Sequence, residues 1–247
     1  MSVLILALVA GSAVGLALGG LGGGGSVLAV PALIYLLGFT PVAATTASLI
    51  IVTVTSISSL VAHARDGNVR WRSGLLFAAA GIGPAMLGGL AAGHIPAAVL
   101  TVAFSVIAAL AAWRMLGPGR PVQDRPVRPH RAAGSGAGLG AVTGVLGVGG
   151  GFLAVPALVG VLGLRMKAAV GTSLLVIVIN SLAALATRTG TADALDWAVI
   201  APFTAAAVLG AWDGKRLAAK ISGNRLQHVF AYVLLAVAAF MLLDSII

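Results

Sequence analysis

Apolar segments follow one another along the chain with almost no polar residues between them. A segment of about 20 residues is long enough to cross the hydrocarbon core of a bilayer as a helix, whereas 13 residues reach only about 20 Å. The two 13-residue segments are therefore expected to be single limbs of hairpins that turn at glycines within the membrane. The apolar segments cover residues 2–20, 26–38, 42–62, 72–93, 95–116, 133–147, 151–163, 168–187, 195–214 and 222–246.

The composition supports an integral membrane protein. Apolar residues make up 60% of the 247 residues and charged residues only 9%, whereas a soluble domain carries about 25% charged residues. Soluble enzymes, nucleic-acid binders and disordered chains are therefore excluded. The net charge of +9 is better assigned to basic cytoplasmic loops than to a nucleic-acid partner. The chain has no Cys and no Glu, so we expect no cofactor, no metal site and no enzymatic activity.

The chain contains an internal repeat. Residues 22–33 (GGGGSVLAVPAL) match residues 147–158 (GVGGGFLAVPAL) at an offset of 125. This offset continues without a gap to Ser56 and Ser181, and after one insertion an offset of 126 aligns Trp71 with Trp197. The sequence therefore predicts a first transmembrane repeat at 1–116, a cytoplasmic linker at 117–132 and a second transmembrane repeat at 133–247. Each repeat is expected to be a glycine-broken helical hairpin followed by three transmembrane helices.

The distribution of Lys and Arg predicts the orientation in the membrane. If the clusters at 65–72, 114–131, 165–167 and 215–225 are all cytoplasmic, Arg188 alone lies on the other side, as expected if positive charge stays inside. Both termini are then periplasmic or extracellular, in a multi-pass protein of the inner (plasma) membrane. The two repeats enter the membrane from opposite sides, and inverted repeats with broken helices are typical of secondary transporters. The fold prediction is thus an all-α integral membrane protein with two inverted repeats.

The glycine runs and nearby polar side chains form the candidate substrate site. Consecutive glycines favour an unwound turn, and the short helices that follow would point the N–H groups of their N-termini at an anion near the midplane. The alternatives are close helix packing for the glycines and bonding of Ser and Thr to their own helical turn. The candidate substrate-binding residues are Gly23, Gly24, Gly25, Ser26, Thr45, Ser48, Gly149, Gly150, Gly151, Thr172, Ser173 and Asn180.

Two prolines and the sparse titratable groups complete the candidate chemistry. Pro31 and Pro156 lie about five residues into the short helices and are expected to break them, because proline gives no N–H to the carbonyl four residues back. That break is either a tolerated kink or a free carbonyl for a ligand. His63 lies near a segment end, where we expect a solvated imidazole. No carboxylate is predicted at membrane depth, so a carboxylate proton relay is not expected.

The paired motifs at 20–33 and 147–158, with AATTASL at 43–49 and AAVGTSL at 168–174, resemble the sulfite exporter TauE/SafE family. The resemblance covers essentially the whole chain. It implies export of a small sulfur-containing anion, such as sulfite, sulfoacetate or a related organosulfonate, across the inner membrane. An anion channel and a carrier of another small organic solute remain alternatives. The expected partners are the small anion and the lipid bilayer, with no nucleic acid, and a homodimer is compatible with the sequence.

Overall fold

The computed structural model describes residues 2–92, 97–117, 129–146, 151–186 and 195–244. These residues form ten α-helices and one π-helical turn, Ala32–Leu36, and contain no strand. The prediction of an all-helical membrane protein is therefore confirmed. The helices are α1 (Ser2–Leu21), α2 (Gly24–Pro31), α3 (Pro41–Arg65), α4 (Trp71–Ala92), α5 (Ala97–Leu116), α6 (Pro129–Leu146), α7 (Gly151–Gly160), α8 (Met166–Ala186), α9 (Trp197–Ala219) and α10 (Gly223–Asp244).

Five helices in the described part of the chain are long and apolar enough to cross a membrane. Their outward surfaces carry many large apolar side chains, such as Val9, Leu209 and Leu243, each at least 60% exposed, as expected for a lipid-facing surface. The candidate spans are Val3–Leu21, Ala43–Arg65, Met166–Ala186, Trp197–Ala219 and Gly223–Leu243.

Proline sets two boundaries that differ from the sequence prediction. The short helix α2 begins at Gly24, two residues before the predicted segment, and changes to π geometry directly after Pro31. Because proline cannot donate to the carbonyl of Val27, the regular hydrogen-bond ladder is interrupted there. Helix α6 begins at Pro129, inside the stretch assigned to the linker, since proline is well tolerated in the first helical turn.

Glycines hold α1 against α9 and α4 against α6. A Cβ atom at Gly15 of α1 would overlap the Ala207 carbonyl of α9, and one at Gly140 of α6 would overlap the Gly81 carbonyl of α4. These two contacts are equivalent under the repeat, because Gly140 corresponds to Gly15 and Ala207 to Gly81. Exchanging the halves also leaves the pairs α3 with α8, α5 with α10 and α2 with α7 unchanged. The helix contacts thus follow the symmetry of the repeat, while its inversion across the membrane stays a prediction.

The bundle has two chemically different ends. At one end, which we call the basic end, Arg70, Arg114, Arg165 and Lys167 line a single cavity. At the other, the far end, Tyr35 packs edge-on against Phe240 with ring centroids 5.3 Å apart. Described residues of three of the basic segments therefore lie at one end of the bundle, and Lys215 of the fourth segment joins them through its ion pair with Asp66.

Candidate functional site

The first hairpin turns at Gly22 and Gly23, and the second repeat holds this turn in place. Gly22 has a φ of +68°, a left-handed conformation that favours glycine. The N–H of Gly23 donates to Ser173 Oγ of α8 over 3.3 Å, and the same hydroxyl donates to the Val170 carbonyl over 2.8 Å. Ser173 is fully buried. The predicted glycine break and the predicted Ser173 therefore meet in the structure.

This break lies nearer the basic end than the midplane predicted from the sequence. One turn before it, the Gly19 carbonyl accepts a hydrogen bond of 3.1 Å from Nε2 of His63, which is two residues from the end of α3. Helix α2 then runs back towards the far end, where Tyr35 meets Phe240. Helix α7 runs the opposite way, because the chain continues from its last residue, Gly160, to Arg165 and Lys167 at the basic end. The N-termini of α2 and α7 therefore point to opposite ends of the bundle, and the expectation that they converge on one midplane point is wrong.

Thr172 ties the connection between α3 and α4 to α8. Its Oγ1 accepts the N–H of Arg70 over 3.0 Å. The neighbouring Gly171 leaves room for the carbonyl of Asn68, which a Cβ atom would overlap. Thr172 thus has a structural role at the basic end, because it holds the α3–α4 connection against α8.

The structure does not bring Ser48 and Thr45 to Ser173. Gly171 of α8 packs beside His63 of α3, so the level of Ser173 corresponds to the last turns of α3. Ser48 is fifteen residues before His63, roughly 22 Å along the helix axis. Ser48 is buried and Thr45 half-buried near the start of α3. The predicted donor set is therefore divided between the two ends.

Several other predicted site residues are described only in part. The backbones of Gly24, Gly25 and Ser26 open helix α2, and Gly151 opens α7. Pro31 and Pro156 lie in these same short helices and are half-buried. Gly149 and Gly150 lie outside the described residues.

Buried polar atoms without partners lie on the two central helices. In the described part of the chain, every such side-chain atom belongs to α3 or α8. These two helices correspond to each other in the repeat and pack together. Because an unpaired buried polar atom is costly, such a group calls for a functional explanation. The atoms are Ser56 Oγ, Ser59 Oγ, His63 Nδ1, Asn180 Oδ1 and Ser181 Oγ.

Asn180 is among the site residues predicted from the sequence, whereas His63 is not. His63 is 5% exposed, so the expectation of a solvated interfacial imidazole is wrong. Its signal in the sequence was the spacing of Ser56, Ser59 and His63, which places all three on one face of a helix. That face is buried against neighbouring helices.

A large cavity at the basic end carries several positively charged side chains. It has a volume of about 1500 Å³ and reaches from the α3–α4 connection to Pro156 of the second hairpin. The described lining carries no carboxylate, so the side chains produce a positive potential that attracts anions. Its charged or titratable lining residues are Arg70, Arg114, His130, Arg165 and Lys167.

A smaller pocket of about 250 Å³ adjoins this cavity and lies beside the helix break. Asn68 and Lys167 line both spaces. The small pocket also contains His63 and an ion pair in which Lys215 Nζ of α9 lies 2.7 Å from Asp66 Oδ2. Lys215 Nζ also donates to the Ala62 carbonyl over 2.6 Å. The ion pair and this hydrogen bond fasten α9 to the end of α3.

Comparison with known proteins gives a family match over most of the chain. The family model described as "Sulfite exporter TauE/SafE" matches residues 7–241. No solved structure matches the chain significantly.

Curated relatives are similar over nearly their full lengths. A "Probable membrane transporter protein" from Xylella fastidiosa strain Temecula1 is 35% identical over 253 residues, which cover 98% of this chain and 96% of the relative. A protein of the same description from strain 9a5c is 33% identical over 98% of this chain and 96% of the relative. "Probable membrane transporter protein YunE" from Bacillus subtilis is 28% identical, with 88% of this chain and 86% of the relative covered.

Proposed function

We propose that this chain, which belongs to the sulfite exporter TauE/SafE family, is a secondary transporter that exports a small sulfur-containing anion across the inner membrane. The chain is a multi-pass membrane transporter by its family and by its apolar helices. The proposal adds the substrate class, sulfite, sulfoacetate or a related organosulfonate, and the direction of transport.

The observation that carries the anion assignment is the basic cavity. Three cationic side chains, those of Arg70, Arg114 and Lys167, face one space of about 1500 Å³. The described lining contains no carboxylate, so the cavity concentrates anions and repels cations. An uncharged solute would gain nothing from this arrangement.

The interior beyond the cavity offers hydrogen bonds in place of fixed charge. The N-terminus of α2 carries roughly half a positive elementary charge, and the hydroxyls of Ser56, Ser59 and Ser181 have no partner. Such groups can replace part of the hydration shell of an oxyanion. Because they are neutral, they bind it weakly enough to release it. Strong attraction into the cavity, followed by weak binding in the interior, suits transport of the anion rather than its storage.

The proposed direction rests on which end is basic. Positive residues are retained on the cytoplasmic side of membrane proteins, so the basic end is assigned to the cytoplasm. The collecting cavity then faces the compartment from which an exporter takes its substrate.

The test is efflux from proteoliposomes that contain the purified full chain. Sulfite, sulfate, thiosulfate, sulfoacetate and chloride are loaded in turn, and efflux is measured against substrate concentration. Sulfite or sulfoacetate is expected to leave fastest, with saturation, whereas flux that rises linearly with concentration would favour a channel. Efflux of none of the sulfur anions, from liposomes that hold correctly folded protein, would overturn the proposal.

Neutralising the arginines of the cavity tests whether its positive charge contributes to transport. Arg70→Gln and Arg114→Gln are each expected to lower efflux at limiting substrate, by about threefold to tenfold at low ionic strength, with less effect at high salt. Arg216→Gln is the matched control, because Arg216 is exposed, pairs with Asp213 and lies outside the cavity lining. Equal efflux from all three variants would show that the positive charge of the cavity does not contribute to transport.

A further inference from the structure

We infer that the pocket of about 250 Å³ beside the first helix break is a binding site for the transported oxyanion, and that the anion takes the place of Asp66 as partner of Lys215. This inference rests on the proposed function and specifies where the substrate is held. The pocket is separate from the residues predicted from the sequence, since its charged groups are His63, Asp66, Lys167 and Lys215.

The geometry of Lys215 supports an exchange of partners. Its ammonium lies 2.7 Å from Asp66 Oδ2, and the carboxylate is the more accessible partner, with 49% of its side chain exposed against 21% for Lys215. An ammonium has three donors, and the Ala62 carbonyl occupies one of them. A small oxyanion that enters the pocket can therefore compete with Asp66 for the remaining donors, while the bond to Ala62 keeps Lys215 in place.

Two other groups make the pocket suited to an oxyanion. Lys167 lines the pocket as well as the large cavity, so it can pass an anion from one to the other. His63 is buried, and its Nδ1 has no partner among the described residues. Its Nε2 is committed to the Gly19 carbonyl, so Nδ1 is the free acceptor for the proton of a hydrogen-bearing oxyanion such as hydrogensulfite.

The charges of this pocket are not repeated in the other half of the chain. At the offsets of the repeat, Lys167 corresponds to Val42 and Lys215 to Gly89. Two inverted but otherwise similar halves would bind the anion equally at both ends. The cationic pocket therefore favours capture at the basic end and release at the far end.

Breaking the ion pair also affects the packing of helices. Asp66 follows the last residue of α3, whereas Lys215 belongs to α9, which packs on α1 through glycines. When the anion holds Lys215, the α3–α4 connection loses one of its ties to α9. Substrate binding thus loosens the contact between the two repeats next to the helix break.

The experiment is calorimetric titration of the purified full chain in detergent with sodium sulfite, using three variants. Lys215→Gln is expected to weaken sulfite binding by about tenfold, the effect of losing roughly one charge-assisted contact. Asp66→Asn is expected to strengthen binding by about threefold or more, because the competitor for Lys215 is neutralised. Lys220→Gln, an exposed lysine on the same helix end outside the pocket, is expected to leave binding within about twofold.

The outcomes separate this inference from the proposed function. If wild type binds and exports sulfite but Lys215→Gln and Asp66→Asn bind it as wild type does, the pocket is not the site and the proposed function stands. If wild type neither binds nor transports any sulfur oxyanion, the proposed function itself fails. Should Lys215→Gln not fold, Asp66→Asn decides alone: tighter binding supports the inference, and unchanged or weaker binding overturns it.

Discussion

The hydroxyl of Ser173 accepts the N–H of Gly23 over 3.3 Å, and so joins two repeats that are 150 residues apart in sequence. The contact lies at the point where α1 ends and the chain turns back as α2. Ser173 also donates to its own helix at the Val170 carbonyl. The serine therefore ties the glycine turn of the first repeat to the first turns of α8 in the second repeat.

Gly22→Ala is expected to impair transport far more than Gly38→Ala. Both glycines have φ near +70°, so alanine costs each about 1 to 2 kcal/mol of backbone strain. Only at Gly22 would the new Cβ meet another group, Ser173 Oγ, whereas Gly38 has open space. Proteoliposome efflux and thermal unfolding of both variants measure the difference. Equal losses of transport would show that backbone strain alone explains the effect.

Ser173→Ala and Asn180→Ala are expected to weaken binding of a sulfur oxyanion, measured by thermal-shift titration. Ser173→Ala also removes the hydroxyl that accepts the Gly23 N–H and is therefore expected to lower stability. Asn180→Ala removes an amide whose oxygen has no partner, so its stability should change little. Ser12→Ala is the control, because that hydroxyl bonds within its own helix to the Leu8 carbonyl.

Ser59→Ala would not be a suitable control. The Ser59 side chain is 1% exposed and its hydroxyl has no partner among the described residues, so its loss could itself affect anion binding. Stabilisation of wild type by amines or metal cations, but by no sulfur oxyanion, would contradict the prediction.

Gly15→Leu is expected to lower the unfolding temperature strongly and to lower folded yield. The side chain would be forced into the Ala207 carbonyl of α9, and overpacking of a well-packed interface costs about 1 to 3 kcal/mol or more. Gly83→Leu in α4 is the matched control, because a Cβ there meets no atom within 4 Å. A stable Gly15→Leu variant would mean that α1 and α9 are not in close contact.

The hydrophobic pattern and the repeat were sufficient to predict the helices but not which helices pack together. The apolar lengths fix where helices can cross a bilayer, whereas the close contacts of α1 with α9 and of α4 with α6 are visible only in the structure. The position of Ser173 beside the glycine break also followed from the motifs.

The depth and the charge of the site could not be predicted from the sequence. Helix α1 is twenty residues long and continues almost to the basic end before it turns, so the break lies away from the midplane. The burial of His63 depends on Gly19, Gly171 and the ion pair of Lys215, which lie far apart along the chain. Only the packing of α3 against α1, α8 and α9 reveals that His63 and Lys215 line the same pocket.

Asp213→Asn is expected to retain most of the transport activity. Asp213 is exposed and pairs only loosely with Arg216 one turn later, at 3.3 Å, and such surface pairs contribute about 0 to 1 kcal/mol. It lines neither the basic cavity nor the small pocket. Efflux driven by a pH gradient measures the effect. Complete loss of that efflux with normal folding would make Asp213 part of a proton pathway.

The orientation prediction is that the basic end is cytoplasmic and both termini are outside. Fourteen of the 15 Lys and Arg residues fall in four segments, and described residues of these segments lie at one end of the bundle, where Arg70, Arg114 and Lys167 line the same cavity. Since α10 runs from this end to Asp244 over 22 residues, roughly 33 Å, its last residue lies on the opposite side of the bilayer.

Single cysteines introduced at 120 and 244, into a chain that has none, are labelled in intact cells with a reagent that does not cross membranes. Labelling at 244 and protection at 120 are expected. The reverse pattern would place the cavity outside the cell and make uptake, rather than export, the direction that its charge favours.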